Sequence, residues 1–270
     1  MKRIYYLLIF MMLPLLSFAQ EVKVKYGHLE AERGVVPDNY NFWMYTPDDY
    51  DGNHKFPLVI FLHGASLSGS DLSKVRRYGV IDAIEKGKNV PAMVIAPQTR
   101  NGWNPDKING LLDWVRDNYK LDETRVYVIG MSMGGYGTMD YVSKYPQRVA
   151  AAMALCGGCS YKDLDGLGTV PLWIMHGTAD RAVGIQQSKR VVEYLQSKGE
   201  DKLLRYDWIQ GGTHGTPARL FYLQKTYDWL FAHCKASKVQ KVDRTFDITM
   251  DDIRQTYQEL KWYQNQFDDD

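Results

Sequence analysis

Four residue types at particular spacings in this chain could perform nucleophilic acyl transfer. Ser132 stands between Gly130 and Gly134 in "VIGMSMGGYGTMDY", a Gly-x-Ser-x-Gly pattern. It follows an apolar run at 125 to 130 and precedes a stretch that reads as a helix. Strand, sharp turn and helix together form the context in which a serine can be held exposed on a strained backbone as a nucleophile. A hydroxyl needs a base to take its proton, and six histidines are available. His28 and His54 precede strand-like runs, at the wrong edge. His63 and His176 end strand-like runs as His-Gly, where the backbone is pinned and the ring is structural. His233 falls late in a helical stretch, where a cation suits the C-terminal dipole. His214 lies in "QGGTHGTP", a loop after the last strand that can place an imidazole over the strand ends, and it is the predicted base.

The base needs a carboxylate to orient it and to stabilise imidazolium. Asp180 in "HGTAD" follows the strand before the last, at the same edge; Asp163 and Asp165 are the alternates, and Asp207 falls inside a strand. Developing negative charge needs two backbone N–H groups. Met133, directly after the serine, supplies one. The small, polar loop "LHGASLSGSD" supplies the other, from Ala65 or alternatively Ser66. This chemistry requires no metal and no organic cofactor. Cys156, Cys159 and Cys234 lack the neighbouring His or Cys that a metal site needs; Cys156-Gly-Gly-Cys159 has redox-motif spacing, and Cys156 also fits a small hydrophobe ending a buried strand.

These residues must be carried by strands and helices that bring them to one edge. "NFWMYTP" (41 to 47), "FPLVIFLHG" (56 to 64), "AMVIAPQ" (92 to 98), "RVYVIG" (125 to 130), "VAAAMALCGG" (149 to 158), "PLWIMHG" (171 to 177) and "LLRYDWI" (203 to 209) read as strands, several of them continuous apolar runs suited to a doubly covered sheet. Helical spacing appears at 107 to 119, 185 to 198 and 217 to 232, the last opening with Thr216 as N-cap before Pro217. Alternating strands and helices predict an α/β domain: a mostly parallel sheet with helices on both faces. The sixteen or so residues between the strands ending near 155 and starting near 172 are too few for a lid domain, so the cleft is expected to be open.

The chain has 270 residues, 45% apolar and 24% charged, with net charge +1. That composition supports a large core and gives no electrostatic reason to expect nucleic acid as a partner. At the N-terminus, Lys2 and Arg3 precede an apolar run at 4 to 16, and Ser17-Phe18-Ala19 offers a cleavage site. Residues 1 to 19 therefore read as a signal peptide, with the mature chain starting at Gln20 and exported to the periplasm or medium without stable membrane insertion. The run is short and broken by Pro14, which argues against an anchor. Residues 20 to 235 form the predicted domain. Residues 236 to 270 form an extension with an amphipathic helix at about 249 to 267, opened by a Thr249/Asp252 capping box and presenting Ile253, Tyr257, Leu260 and Tyr263. Nothing in the sequence fixes an oligomeric state.

Taken in order, "LHG" (62 to 64), "APQ" (96 to 98), Trp103, "GMSMGG" (130 to 135), "HGTAD" (176 to 180) and His214 resemble the α/β-hydrolase superfamily. They most resemble its lidless esterases: the phospholipase/carboxylesterase group and the feruloyl and acetylxylan esterase-like proteins of carbohydrate esterase family one. The likeness covers about residues 40 to 232. It implies an α/β-hydrolase fold without a lid domain and hydrolysis of carboxylic esters through an acyl-enzyme, on a small-molecule or polysaccharide-linked substrate. It also implies that Gln98 and Trp103 lie near the cleft as substrate-binding residues, although Trp103 equally suits the core. "RAVG" after "HGTAD", and "GGTHGTP" in place of Gly-Gly-His, depart from the family pattern and bear on loop shape. A peptidase of the prolyl-oligopeptidase type is the rival enzyme, and a non-catalytic binding protein on the same fold the rival outside enzymes.

Overall fold

In a computed structural model of the chain, residues 21–256 are described. Nine strands make one sheet: β1 (Glu21–Val24), β2 (Gly27–Glu32), β3 (Phe42–Pro47), β4 (Phe56–Leu62), β5 (Met93–Pro97), β6 (Leu121–Met131), β7 (Ala151–Leu155), β8 (Leu172–Gly177) and β9 (Leu204–Ile209). Their order is β1-β2-β3-β5-β4-β6-β7-β8-β9. The first three strands pair antiparallel, and every pairing from β5 through β4 to β9 is parallel. Five α-helices have both ends among the described residues: α1 (Val80–Glu85), α2 (Pro105–Asn118), α3 (Met133–Lys144), α4 (Gln186–Lys198) and α5 (Gln224–Phe231).

The apolar runs become the central strands because both faces are covered. In β4, Val59 and Phe61 enter one core with α1 and α5, while Leu58, Ile60 and Leu62 enter the other with α2, α3 and α4. Alternation along one strand thus feeds two cores, and all five side chains are fully buried.

Three elements differ from the sequence reading. The β1–β2 hairpin was not expected, and it places His28 within a strand, paired to Glu21 at 3.2 Å. The six-residue α1 was also not expected. The helix predicted over 217 to 232 is instead a 3-10 segment, Thr216–Tyr222, followed by α5, with Leu223 extended (φ −82°, ψ 133°) between them. Side chains satisfy carbonyls freed at that break: Thr226 Oγ1 donates to Leu220 at 2.6 Å and Tyr227 Oη to Phe221 at 2.6 Å. Thr216 does not cap by its side chain the helix that was expected there; its hydroxyl accepts the Thr213 amide at 2.9 Å.

The residues after α5 cross to the edge strand β9. Arg205 lies between Trp173 and Phe246, 4.1 and 3.9 Å from their ring centroids, and donates to the Asp243 and Phe246 carbonyls. Arg244 donates to the carbonyls of Leu204, Lys202 and Asp201. Residues 250 to 256 are helical, and the capping box forms: the Asp252 amide donates to Thr249 Oγ1 at 3.0 Å and the Thr249 amide to Asp252 Oδ2 at 2.8 Å. Ile253 is buried in the domain core. Tyr257, Leu260 and Tyr263, like the predicted signal peptide, fall outside the described residues. Among the described residues, no helix is long and apolar enough to cross a membrane.

Candidate functional site

Parallel strands deliver their C-terminal ends to one edge of the sheet, so the loops after β4, β6, β8 and β9 meet there. Ser132 follows β6 directly, with φ 58° and ψ −121°. A non-glycine residue in that region is strained by about 1–3 kcal/mol, held by its surroundings. Here its amide donates to the Leu155 carbonyl at 2.7 Å, and its carbonyl accepts from Tyr136 at 3.0 Å, locking both sides of the turn. Gly134 makes the turn sterically possible, because a Cβ there would overlap the Leu62 carbonyl. The first-turn amides of a helix have no partner within it, and Met133 is the first residue of α3.

Across from Ser132, the loop after β4 begins with Gly64 and a 3-10 turn, Ala65–Leu67. A side chain at Gly64 would come within 3.4 Å of Ser132 Cβ. Ala65, exposed and first in that turn, thus sits beside the serine with its amide outside any intrahelical bond. One group that the sequence reading missed holds this loop. The Gly64 amide donates to Tyr78 Oη at 2.8 Å. Burial raises the Tyr78 hydroxyl's pKa, so it stays protonated at neutral pH. Tyr78 lies in a segment of short 3-10 turns, and no local pattern marks it.

Asp180 and His214 are brought together. His214 Nδ1 donates to Asp180 Oδ2 at 2.7 Å, with the Asp180 side chain fully buried and the His214 side chain 28% exposed. Asp180 Oδ1 accepts the amides of Ala182 at 2.8 Å and Val183 at 2.9 Å. Burial alone would raise the carboxyl pKa; the hydrogen bond from His214, the two amides and the His214 charge outweigh it, and the pKa lies below its ordinary value. The loops carrying the pair are tied to each other: the Ala179 amide donates to the Gly212 carbonyl at 2.9 Å and the Gly211 amide to Thr178 Oγ1 at 2.8 Å. Gly177 and Gly212 approach so closely that a Cβ on Gly177 would overlap the Gly212 carbonyl. His214 is connected to the serine side through Cys156, one residue beyond Leu155, whose thiol contacts the His214 carbonyl at 3.6 Å. Among the described residues, no hydrogen bond joins the Ser132 hydroxyl to the His214 ring; such bonds are commonly long without substrate and tighten in the complex.

The other candidates lie elsewhere. Asp165 accepts from Tyr194, the Asp163 carboxylate receives the Asp165 amide, and Asp207 is bound by Trp173 and Arg205. His63 is fully buried; Nδ1 donates to the Gly64 carbonyl at 2.7 Å and Nε2 accepts the Thr99 amide at 3.1 Å. His176 contacts Ser188, Val183 and, at 3.2 Å, Asp180 Oδ2. The ligand atoms of Cys156, His176 and Asp180 lie within 4.8 Å of one another. Burial raises the Cys156 thiol's pKa far above neutrality, and Asp180 and His176 each hold protein partners. Cys156 and Cys159 are buried and unbonded to each other.

Gln98 differs from the expectation of direct substrate contact alone. Its Nε2 donates to the Leu67 carbonyl at 2.8 Å and to the Asp71 carbonyl at 2.9 Å, strapping the loop that carries Ala65. Trp103 is half-buried, with Nε1 donating to the His63 carbonyl at 3.1 Å and its ring edge-on to His63 at 4.9 Å. It backs the wall behind His63.

Comparison with known proteins places the chain in a family. Residues 34–202, more than half of the chain, match the family model described as "Putative esterase". Acetylxylan esterase A of Emericella nidulans is 28% identical over 145 residues, covering 48% of this chain and 47% of that one. The chain spans about half or less of the length of three of the curated relatives it matches. Among solved structures, a thermostable esterase superposes with TM-score 0.61 at 26% identity, over 80% of this chain and 62% of that one. A feruloyl esterase module from Clostridium thermocellum, complexed with sinapinate, superposes with TM-score 0.56 at 17% identity over 70% and 82% of the two chains, a likeness of fold. The nine-stranded, mostly parallel sheet is that of an α/β hydrolase, and the chain belongs to this esterase family.

Proposed function

We propose that the protein is an exported serine hydrolase of carboxylic esters, acting on acyl groups carried by a polysaccharide. The observation that carries the reading is the 2.7 Å bond from His214 Nδ1 to a buried, doubly amide-held Asp180, at the sheet edge where Ser132 occupies a strained turn. With Nδ1 committed as a donor, Nε2 of His214 is the free acceptor. It takes the Ser132 proton as Oγ attacks the ester carbonyl. The amides of Met133 and Ala65 receive the oxyanion. The imidazolium, stabilised by Asp180, gives its proton to the leaving alcohol. Water then repeats the sequence on the acyl-enzyme, and Ser132 is regenerated. The polysaccharide part of the reading is supported by the acetylxylan esterase relative, and export by the N-terminal residues.

The test is a substrate panel with a Ser132→Ala control: methyl ferulate, acetylated xylan, short and long acyl nitrophenyl esters, and aminoacyl amides. Turnover of esters that vanishes in the control is expected. Residual ester hydrolysis at the wild-type rate would overturn the nucleophile, and preferential cleavage of the amides would favour a peptidase.

A further inference from the structure

Gly69 and Ser70 of the 65–71 loop help line a recess of about 400 Å³, within the range of ligand sites. The Gly69 amide, bonded to the Thr99 carbonyl at 3.0 Å, and the Gln98 strap form the wall it shares with the serine's loop. Its lining has an unusual composition: side-chain amides, hydroxyls, the Tyr40 ring and two cations, with no aliphatic residue and no carboxylate.

Gln98 gives the recess a fixed polarity. The residue is only 6% exposed, and its Nε2 donates to two carbonyls, so the amide cannot flip without losing both bonds. Its Oε1 is thereby held as an acceptor, with no hydrogen-bond partner among the described residues, in a side chain that lines the recess. An acceptor so held, open to the recess, is satisfied by water or by a hydroxyl or amide donor of a ligand that displaces it. The cations add the second requirement. Arg100 has no ion pair among the described residues, and Lys107 bonds a carbonyl, that of Asp38, rather than a carboxylate. Helix α2, fourteen residues long, begins at the same wall, with its Asp106 and Lys107 amides taken by the Asn104 side chain. An aromatic or alkyl acyl group placed here would strip water from these groups and return no hydrogen bond. A ligand with several hydroxyls and one anionic group matches every part of the lining.

We propose that the recess is a saccharide subsite selective for a uronate ring, on the alcohol side of the scissile ester. Its place within a substrate rests on the esterase reading; the binding itself does not. The substrate class is therefore an acylated polysaccharide bearing acidic sugars, with the carboxylate facing Arg100 and Lys107 and a ring hydroxyl donating to Gln98 Oε1.

Methyl glucuronoside and methyl xyloside test this, because they differ only in the carboxylate. Both are titrated by NMR into the Ser132→Ala protein and into Ser132→Ala with Arg100→Gln, at low and high salt. The glucuronoside is expected to bind at least about fivefold tighter than the xyloside at low salt. Arg100→Gln or high salt should shrink the difference, since a partly exposed charge is screened. Equal binding of the two sugars, discrimination that survives Arg100→Gln, or shifts that map away from Gln98 and Thr99 would overturn the proposal. Persistent ester hydrolysis by Ser132→Ala would overturn the esterase reading and leave the binding result standing.

Discussion

Replacing Asp180 with Asn tests the orientation of the base with almost no change in shape. In the native site Oδ1 receives the Ala182 and Val183 amides, at 2.8 and 2.9 Å, and Oδ2 receives His214 Nδ1–H at 2.7 Å. The two amides decide which end of an asparagine carboxamide carries oxygen. Turning the amine toward them would leave two donors facing a donor, at about 1–3 kcal/mol for each unsatisfied group. The asparagine Nδ2 therefore takes the place of Oδ2 and donates to His214 Nδ1. The ring proton moves to Nε2, the side that must accept from Ser132, and the carboxylate that would stabilise imidazolium is gone. In a Ser-His-Asp triad this exchange costs on the order of 10⁴-fold in kcat, which at about 1.4 kcal/mol per decade is a barrier increase of about 5 kcal/mol. The assay is kcat/KM on a short-chain nitrophenyl ester, with the thermal midpoint to confirm folding and proton NMR to follow the Nδ1-bound proton of His214. A well-folded Asp180→Asn protein that loses less than tenfold would refute the orientation argument and return the search to another carboxylate.

Three further outcomes follow from the geometry. Gly134→Ala should destabilise the protein by about 1–3 kcal/mol through overpacking against the Leu62 carbonyl and lower kcat more than tenfold as the turn shifts; denaturant melts and kinetics check both, and an unchanged pair would refute the close approach. Gln98→Ala should leave the Leu67 and Asp71 carbonyls without donors, costing about 2–4 kcal/mol; an unchanged melting temperature would show that the strap is idle. Burial lowers the pKa of His63 and of His233 to about 4, against an ordinary 6.5. Between those values the unfolded chain binds protons that the folded one refuses, so stability is full above about pH 6.5 and falls as pH drops toward 4, by on the order of 3 kcal/mol per ring. Guanidine melts at pH 7 and 4.5 should show this. His233→Phe, which removes a buried Nε2 that has no partner among the described residues and keeps the edge contact with Trp229, should flatten the slope; an unchanged slope would acquit His233.

Much of the site was legible because its parts are pinned to strand ends. Ser132 announces itself through flanking glycines that no other local structure needs, and Asp180 and His214 follow strands whose apolar runs reveal which edge they share. The recess at Gln98 was less legible. A glutamine at a strand end does not disclose that its amine reaches carbonyls 31 and 27 residues away, and only those partners show that its oxygen is left over. Tyr78 was invisible for the same reason, since its hydroxyl acts on Gly64 from fourteen residues downstream. The β1–β2 hairpin escaped because its strands are short, polar and single-faced. The break at Leu223 escaped because helical spacing continues through it; the deciding hydrogen bonds come from the Thr226 and Tyr227 side chains, which compete with the backbone for the Leu220 and Phe221 carbonyls.

The crossing of residues 243 to 248 over β9 bears on something other than catalysis. An open sheet ends in a row of unpaired backbone groups that can template a foreign strand, the first step toward aggregation. Arg244 occupies the Leu204 carbonyl at the start of that row with a guanidinium, a planar fork that no incoming strand can displace without losing several bonds at once. At the opposite end of the described sheet, β1 exposes Glu21. One border of the described sheet thus has the start of its edge covered by a borrowed side chain, and the other carries an exposed charge. In this way Arg244 hinders strand addition at the start of β9.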